Sequence, residues 1–297
     1  MIGSISGYAV VSRFEPTPIH ATIHAMTVPN PSSSPAHSAP PLAVVTGASS
    51  GIGAATATLL AQRGYRTILI ARRTERIAAL AQQLSSQARS VALTLDLEQP
   101  DLLEPAMRGI LAEHGPIDLL INNAGGNTLC PTLDLPMDAH QRLMQVHYFA
   151  PLALIRATLP GMLERRRGHV INITSIATKM GPWGHGAYAA AKSALVSLTQ
   201  SLAAEYGDQG VRFSYVKPGV VKTEFFDGPG YKQMSQQVET HGISADVVAR
   251  KIVGLLDRPR LELCVPRHYR VLDWIKAIHP GLAHALVTRN SRPRKKP

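Results

Sequence analysis

From Leu42 to Val265, short apolar runs of four to six residues alternate with longer segments whose apolar residues recur at helical spacing. That alternation restricts the chain more than any other feature. Runs that are apolar on both faces must be covered on both faces, and helices that cross over between parallel strands do this. The expected strands are Leu42–Thr46, Thr67–Ala71, Ser90–Leu95, Ile117–Ile121, His169–Thr174, Val211–Val216 and Glu262–Val265. The expected helices include Ile52–Arg63, Arg76–Ser85, Leu102–Glu113, Ala139–Arg165, Ala187–Tyr206 and Ala245–Asp257, the last with Ser244 as its N-cap and Pro259 just past its end. Seven strands in one unbroken alternation predict a single α/β domain over 42–268 rather than two, although 297 residues would accommodate two.

The first run leads into Thr46-Gly47-Ala48-Ser49-Ser50-Gly51-Ile52-Gly53. Glycines after a buried strand let the backbone turn tightly and approach a pyrophosphate. The following helix then offers free N–H groups and the positive end of its dipole. A tight strand-to-helix turn also calls for glycines, so the pattern alone is weak; its place after the first of seven strands favours a nucleotide. The second run ends Ile70-Ala71-Arg72-Arg73, and the nearest acid, Glu75, lies beyond the turn. In dinucleotide folds an acid here holds the ribose 2′-OH of NAD, whereas an arginine accepts the 2′-phosphate of NADP. Two guanidiniums, suited to bidentate phosphate contacts, predict NADP. The competing reading is a pair of solvated arginines on a loop.

With these glycines followed by Asn122-Asn123-Ala124-Gly125, Tyr188-Ala189-Ala190-Ala191-Lys192 and Pro218-Gly219, the chain resembles the short-chain dehydrogenase/reductase superfamily, in the subgroup marked T-G-x-x-x-G-x-G and Y-x-x-x-K. The resemblance runs from about Leu42 to Arg267, with the motifs in the family's order. It implies a Rossmann-like, doubly wound parallel sheet, an NAD(P) cofactor and a homodimer or homotetramer built on two long central helices. By that similarity Gly47, Ser49, Ser50, Gly51, Ile52 and Gly53 form the phosphate turn, and Asp96-Leu97 contacts the adenine. Asn123, Ala124 and Gly125 line the adenosine ribose, while Pro218, Gly219, Val221 and Thr223 hold the nicotinamide.

Chemistry at the Tyr188/Lys192 pair is legible without the family. At i, i+4 near the start of an expected helix, the two share one face. A free phenol has a pKa of about 10. A neighbouring ammonium lowers it, so Tyr188 is expected to serve as general acid in reduction and general base in oxidation. Relatives imply that Lys192 also hydrogen-bonds the nicotinamide ribose. Ser175 lies 13 residues before Tyr188, the family's spacing for a serine that holds the carbonyl oxygen. Thr174 is expected on the opposite strand face. In the long helix, relatives usually carry an asparagine that supports a water chain from the lysine; this chain has His147 there. Two readings stand: an imidazole that relays protons, or one that fills the space and satisfies a backbone group.

Beyond Thr223, Glu224-Phe225-Phe226-Asp227-Gly228-Pro229-Gly230 suits an apolar cover on a hinge. Leu129, Met180, Pro182 and Trp183 are further expected walls, and such apolar walls point to a neutral or lipophilic carbonyl substrate. Residues 1–41 are Pro- and Ser-rich and read as a disordered arm; His20 and His24 in it lack a third ligand for a metal. Residues 269–297 form an extension in which Leu272, Trp274, Ile275 and Ile278 mix with basic residues, ending Arg294-Lys295-Lys296. It reads as a packing extension, a dimer arm or a weak peripheral membrane contact. The tail contributes heavily to a formal charge of +11, but no aromatic-basic surface supports nucleic acid binding. Two cysteines make no disulfide framework, no apolar run approaches the roughly 18 residues of a span, and no secretory signal is evident, so a cytoplasmic setting is expected.

The expectation is an NADP(H)-dependent oxidoreductase interconverting a carbonyl and an alcohol. Its rivals are a same-fold reductase of C=C or C=N bonds and a catalytically silent NADP-binding sensor or scaffold.

Overall fold

A computed structural model describes residues 39–227, 231, 238–240 and 242–291. The expected arm, with His20 and His24, lies outside them up to residue 38, as does the end of the basic tail. Seven strands pair in parallel: β1 (Leu42–Thr46), β2 (Arg66–Ala71), β3 (Ser90–Thr94), β4 (Leu119–Asn122), β5 (Gly168–Ile173), β6 (Val211–Pro218) and β9 (Glu262–Val265). Their order across the sheet is β3-β2-β1-β4-β5-β6-β9. A second, two-stranded pairing of β7 (Val221–Lys222) with β8 (Ile243–Ser244) is too short to carry a periodic signal.

Strict alternation feeds two cores. Ala43 and Val45 of β1 face one side with Leu69, Ile121 and Ile171; Leu42 and Val44 face the other with Ile68, Ile70 and Val170. All five are fully buried or nearly so in each case, and burying one such side chain is worth about 1.5–3 kcal/mol. The first core is closed by α1 (Gly51–Gln62), α2 (Thr74–Leu84) and α7 (Ala245–Asp257). The second is closed by α3 (Pro100–His114), α5 (Ala150–Glu164) and α6 (Gly186–Tyr206). Ser244 caps α7 as expected, its hydroxyl accepting from Val247 N at 3.4 Å.

One expected helix is not continuous. In place of Ala139–Arg165 the chain forms α4 (Met137–Met144), a π-helical turn over Gln145–Phe149, and α5. The wide turn carries His147, which is buried against the fourth strand's exit loop: a Cβ on Gly125 would lie 2.4 Å from its Cε1. The extension after β9 also folds, as α8 (Val271–Ile278) and α9 (Pro280–Ser291). Among the described residues no helix is long and apolar enough to cross a membrane.

Candidate active site

Strand order reverses between β1 and β4, and the crevice beyond their carboxyl ends is where a doubly wound sheet accepts ligands. A cavity of about 1090 Å³ opens there. That is at the upper limit for one small ligand, roughly 300–1,000 Å³, and suits a dinucleotide with a substrate beside it.

At its nucleotide end the backbone is shaped by glycine. Gly47 and Gly51 have φ of +66° and +56°, a left-handed conformation that favours glycine. Gly53 does not line the cavity: a Cβ there would stand 2.2 Å from the Gly47 carbonyl, so its place is close packing of α1 beneath the turn. Asn123 Nδ2 donates to the carbonyls of Thr46 and Gly47 at 3.0 and 3.2 Å, bracing the turn from β4. The N-terminus of α1 has no side-chain cap and no acid in its first turn, and Gly51 and Ile52 face the cavity. Uncapped amides at a positive dipole end fit a pyrophosphate.

Arg73 lies across this turn. Its Nε donates to Ser49 Oγ at 3.1 Å and its Nη2 to Ser50 Oγ at 2.7 Å, while Nη1 pairs with Glu224. Arg72 is more exposed and pairs with Glu98 at 3.0 Å, with Asp96 at 4.0 Å. The end of β2 itself thus contributes two guanidiniums and no carboxylate, while carboxylates from other segments pair with both, and the guanidinium donors fit a 2′-phosphate. The position of Glu224 is the surprise: it arrives from a segment about 150 residues away and holds both Arg73 and Arg76, its carboxyl lowered by those two hydrogen bonds. No local pattern announces it.

At the other end Ser175, Tyr188, Lys192 and His147 all line the cavity. Ser175 is the N-cap of a 3-10 turn over Ile176–Thr178 and accepts from Ala177 N at 3.1 Å. Thr174 Oγ1 donates to the Val216 carbonyl at 2.7 Å, so its hydroxyl is engaged within the sheet. Tyr188 and Lys192 are both buried on one face of α6. A polar chain ties that helix to the sheet: Asn122 Nδ2 donates to Asn172 Oδ1, and Asn172 Nδ2 to Thr199 Oγ1, each at 2.8 Å.

The expected direction of the Tyr188 shift is reversed here. Burial pushes the phenol up to about 12, with the Ser175 hydroxyl beside it acting the other way. Burial likewise pushes the Lys192 ammonium down to about 7, and its Nζ donates to the Ile173 carbonyl at 2.7 Å. Desolvation dominates both shifts. Near neutrality the phenol therefore holds its proton.

Asp96, Leu97, Ala124, Gly125, Pro218, Gly219, Val221 and Thr223 also line the cavity, as do Met180, Pro182, Phe225 and Phe226. Leu129 and Trp183 do not. Leu129 packs where a Cβ on Gly184 would sit, 2.7 Å away, and the Trp183 amide is bound to Ser291 Oγ. The Gly228–Gly230 hinge lies outside the described residues. Sequence reasoning missed His185 and the C-terminal helices, whose Leu272, Leu286 and Val287 complete the substrate side. It also missed Tyr231, a buried phenol behind the pocket held by Asn127 Nδ2 at 2.6 Å and His185 Nε2 at 3.2 Å.

The sequence profile of the short chain dehydrogenase family matches residues 41–230. The chain is 32% identical over 267 residues to a dehydrogenase/reductase SDR family member 7B of Bos taurus, covering 85% of this chain and 82% of the relative. Its fold is similar to a short-chain dehydrogenase from Sphingobium yanoikuyae in complex with NADPH, with a TM-score of 0.72 and 27% identity over 86% of this chain and 98% of the other. An alcohol dehydrogenase from the archaeon Thermococcus sibiricus, complexed with 5-hydroxy-NADP, superposes with a TM-score of 0.68 at 27% identity, covering 75% and 95% of the two chains. The glycine turn, the Ser/Tyr/Lys constellation and these matches agree: the chain belongs to the short-chain dehydrogenase family.

Proposed function

We propose that the protein is an NADP(H)-dependent oxidoreductase that interconverts a neutral or lipophilic carbonyl compound and its alcohol. The observation that carries this reading is the buried, protonated Tyr188 phenol beside the Ser175 hydroxyl, in a cavity whose far end is the cationic Arg72/Arg73 turn. When bound, the nicotinamide supplies or accepts the hydride. Ser175 holds the carbonyl oxygen and shares the charge that develops on it. Tyr188 gives its proton to that oxygen as the carbonyl carbon gains the hydride, and takes it back in the reverse direction. Lys192, its ammonium pushed down by burial, steadies the phenolate left behind when it carries its proton. Uncapped amides of α1 hold the pyrophosphate, and Arg73 with Ser49 holds the 2′-phosphate.

Leu272, Leu286, Phe225 and Phe226 make the substrate side apolar, which supports a lipophilic carbonyl. A homodimer or homotetramer through the long helices is the assembly we propose, in a reducing cytoplasm that suits the free Cys130 and Cys264. A screen of aldehydes and ketones following NADPH absorbance tests the reading. Turnover of apolar carbonyls supports it; NADPH binding without turnover of any carbonyl overturns it.

A further inference from the structure

Residues beyond 230 lie outside the part of the chain that the family profile matches, yet the last two described helices close the site. They are joined by His279 alone and stay in register through it: His279 N donates to Ile275 O at 2.7 Å, and Ala283 N to His279 O at 3.1 Å. The pair is apolar inward, where Leu272, Leu286 and Val287 face the cavity and Ala283 is fully buried.

What holds this pair down is ionic. Lys179 sits four residues after Ser175, with its side chain 1% exposed. A lysine so buried needs a counter-charge. It has Asp273 of α8 in direct contact and Glu262 of β9 at 3.9 Å. One turn along the same helix face, Lys276 Nζ donates to the Lys179 carbonyl at 2.8 Å. At the far end of α9, Ser291 Oγ accepts from the Trp183 amide at 3.0 Å. Both helices are thus fastened to the single loop that follows the serine.

We propose that the Lys179–Asp273 ion pair latches the α8–α9 pair onto the loop that carries Ser175, and that this pair is the wall selecting long apolar carbonyl substrates. The substrate clause rests on the carbonyl reading above; the latch does not. Asp273 is the better half to remove, because Glu262, 3.9 Å from Lys179 and shared with Lys217 at 3.3 Å, leaves the buried ammonium one carboxylate nearby. Leu272, Leu286 and Val287 line the same cavity as Ser175 and Tyr188, so on this proposal a long aldehyde is expected to depend on the wall more than a short one.

The experiment compares wild type, Asp273→Asn and Asp273→Glu by amide hydrogen exchange and by steady-state kinetics with propanal and decanal. Faster exchange confined to residues 271–291 is expected in Asp273→Asn, with the KM for decanal raised roughly tenfold or more and that for propanal within about twofold. Asp273→Glu should restore both, and NADPH affinity should hold throughout. Unchanged exchange over 271–291, or an equal KM change for the two aldehydes, overturns the proposal. If wild type turns over neither aldehyde, the carbonyl reading falls instead, and the latch is judged on the exchange alone.

Discussion

The imidazole of His147 meets the ring of Tyr188 edge-on, with centroids 5.1 Å apart and planes at 87°. Its Nε2 lies 2.8 Å from the Gly126 carbonyl and donates to it, which leaves Nδ1 as a bare lone pair, buried and without a partner among the described residues. Burial, and then the nearby Lys192 charge, hold its pKa well below the usual imidazole value, so the ring is neutral. We propose that its main task is to back the phenol and satisfy that carbonyl. On this view His147→Asn, which keeps a donor, retains kcat within about tenfold, whereas His147→Phe loses about 1–3 kcal/mol of stability by orphaning a buried acceptor. Proton-transfer groups are typically worth 10²–10⁴-fold. A hundredfold loss of kcat in the asparagine variant, at unchanged Tm, would make the imidazole a proton carrier.

Cofactor choice should follow Arg73 more than Arg72. Arg73 is already drawn over the phosphate turn by Ser49 and Ser50, while Arg72 reaches outward to Glu98. Hydrogen bonds to charged groups are worth about 1.5–3 kcal/mol, so Arg73→Ala should weaken NADPH binding by roughly ten- to a hundredfold and leave NADH nearly as before. Titration of both cofactors by fluorescence decides it. An equal loss for NADH would mean the guanidinium supports the turn rather than the 2′-phosphate.

Tyr188→Phe removes one oxygen from a buried, well-packed site. Cofactor affinity should hold and kcat should fall by about 10²–10⁴-fold. Retention of more than about a tenth of kcat would take the proton-donor role away from this residue.

Acid should destabilise the fold through His169. Its Nε2 lies 2.8 Å from Ser214 Oγ, which itself donates to the Arg260 carbonyl, so the ring is the donor and sits neutral in the sheet. Burial, and then the Arg212 charge, lower its pKa to about 4 from the ordinary 6.5. The unfolded chain therefore binds the extra proton first. Stability is fully present above about pH 6.5 and declines as pH falls, by roughly 3 kcal/mol at pH 4. Urea midpoints across that range should show the loss, and His169→Gln should make it shallower, the buried His147 and His185 with their own lowered pKa values keeping the remainder. A variant with an equally steep acid limb would place the titration elsewhere.

Membrane contact is a separable expectation. Trp274, Ile278 and Leu282 are exposed apolar side chains on α8 and α9, at 69%, 68% and 54% exposure, and the sequence that follows these helices is strongly basic. Each Lys or Arg near an anionic surface contributes on the order of 1 kcal/mol. Co-sedimentation with phosphatidylserine vesicles at low salt, lost at high salt, is the expected result; absence of pelleting at low salt would remove the membrane contact.

Local rules were enough for the strands, the glycine turn and the one-turn spacing of Tyr188 and Lys192. Strand faces alternate by geometry, the left-handed backbone at Gly47 and Gly51 favours glycine, and i, i+4 neighbours on a helix meet whatever surrounds them. Tertiary structure alone decided the rest. The pKa of Tyr188 depends on how much water the assembled walls exclude, and that desolvation is invisible in a string of residues. The π-helical turn at Gln145–Phe149 and the close approach of His147 to Gly125 within it join two elements distant in sequence, which no helical periodicity announces. Glu224 reaches Arg73 and Lys179 reaches Asp273 across about 150 and 94 residues of chain, and pairs at such separation exist only once the sheet has brought their loops to one edge.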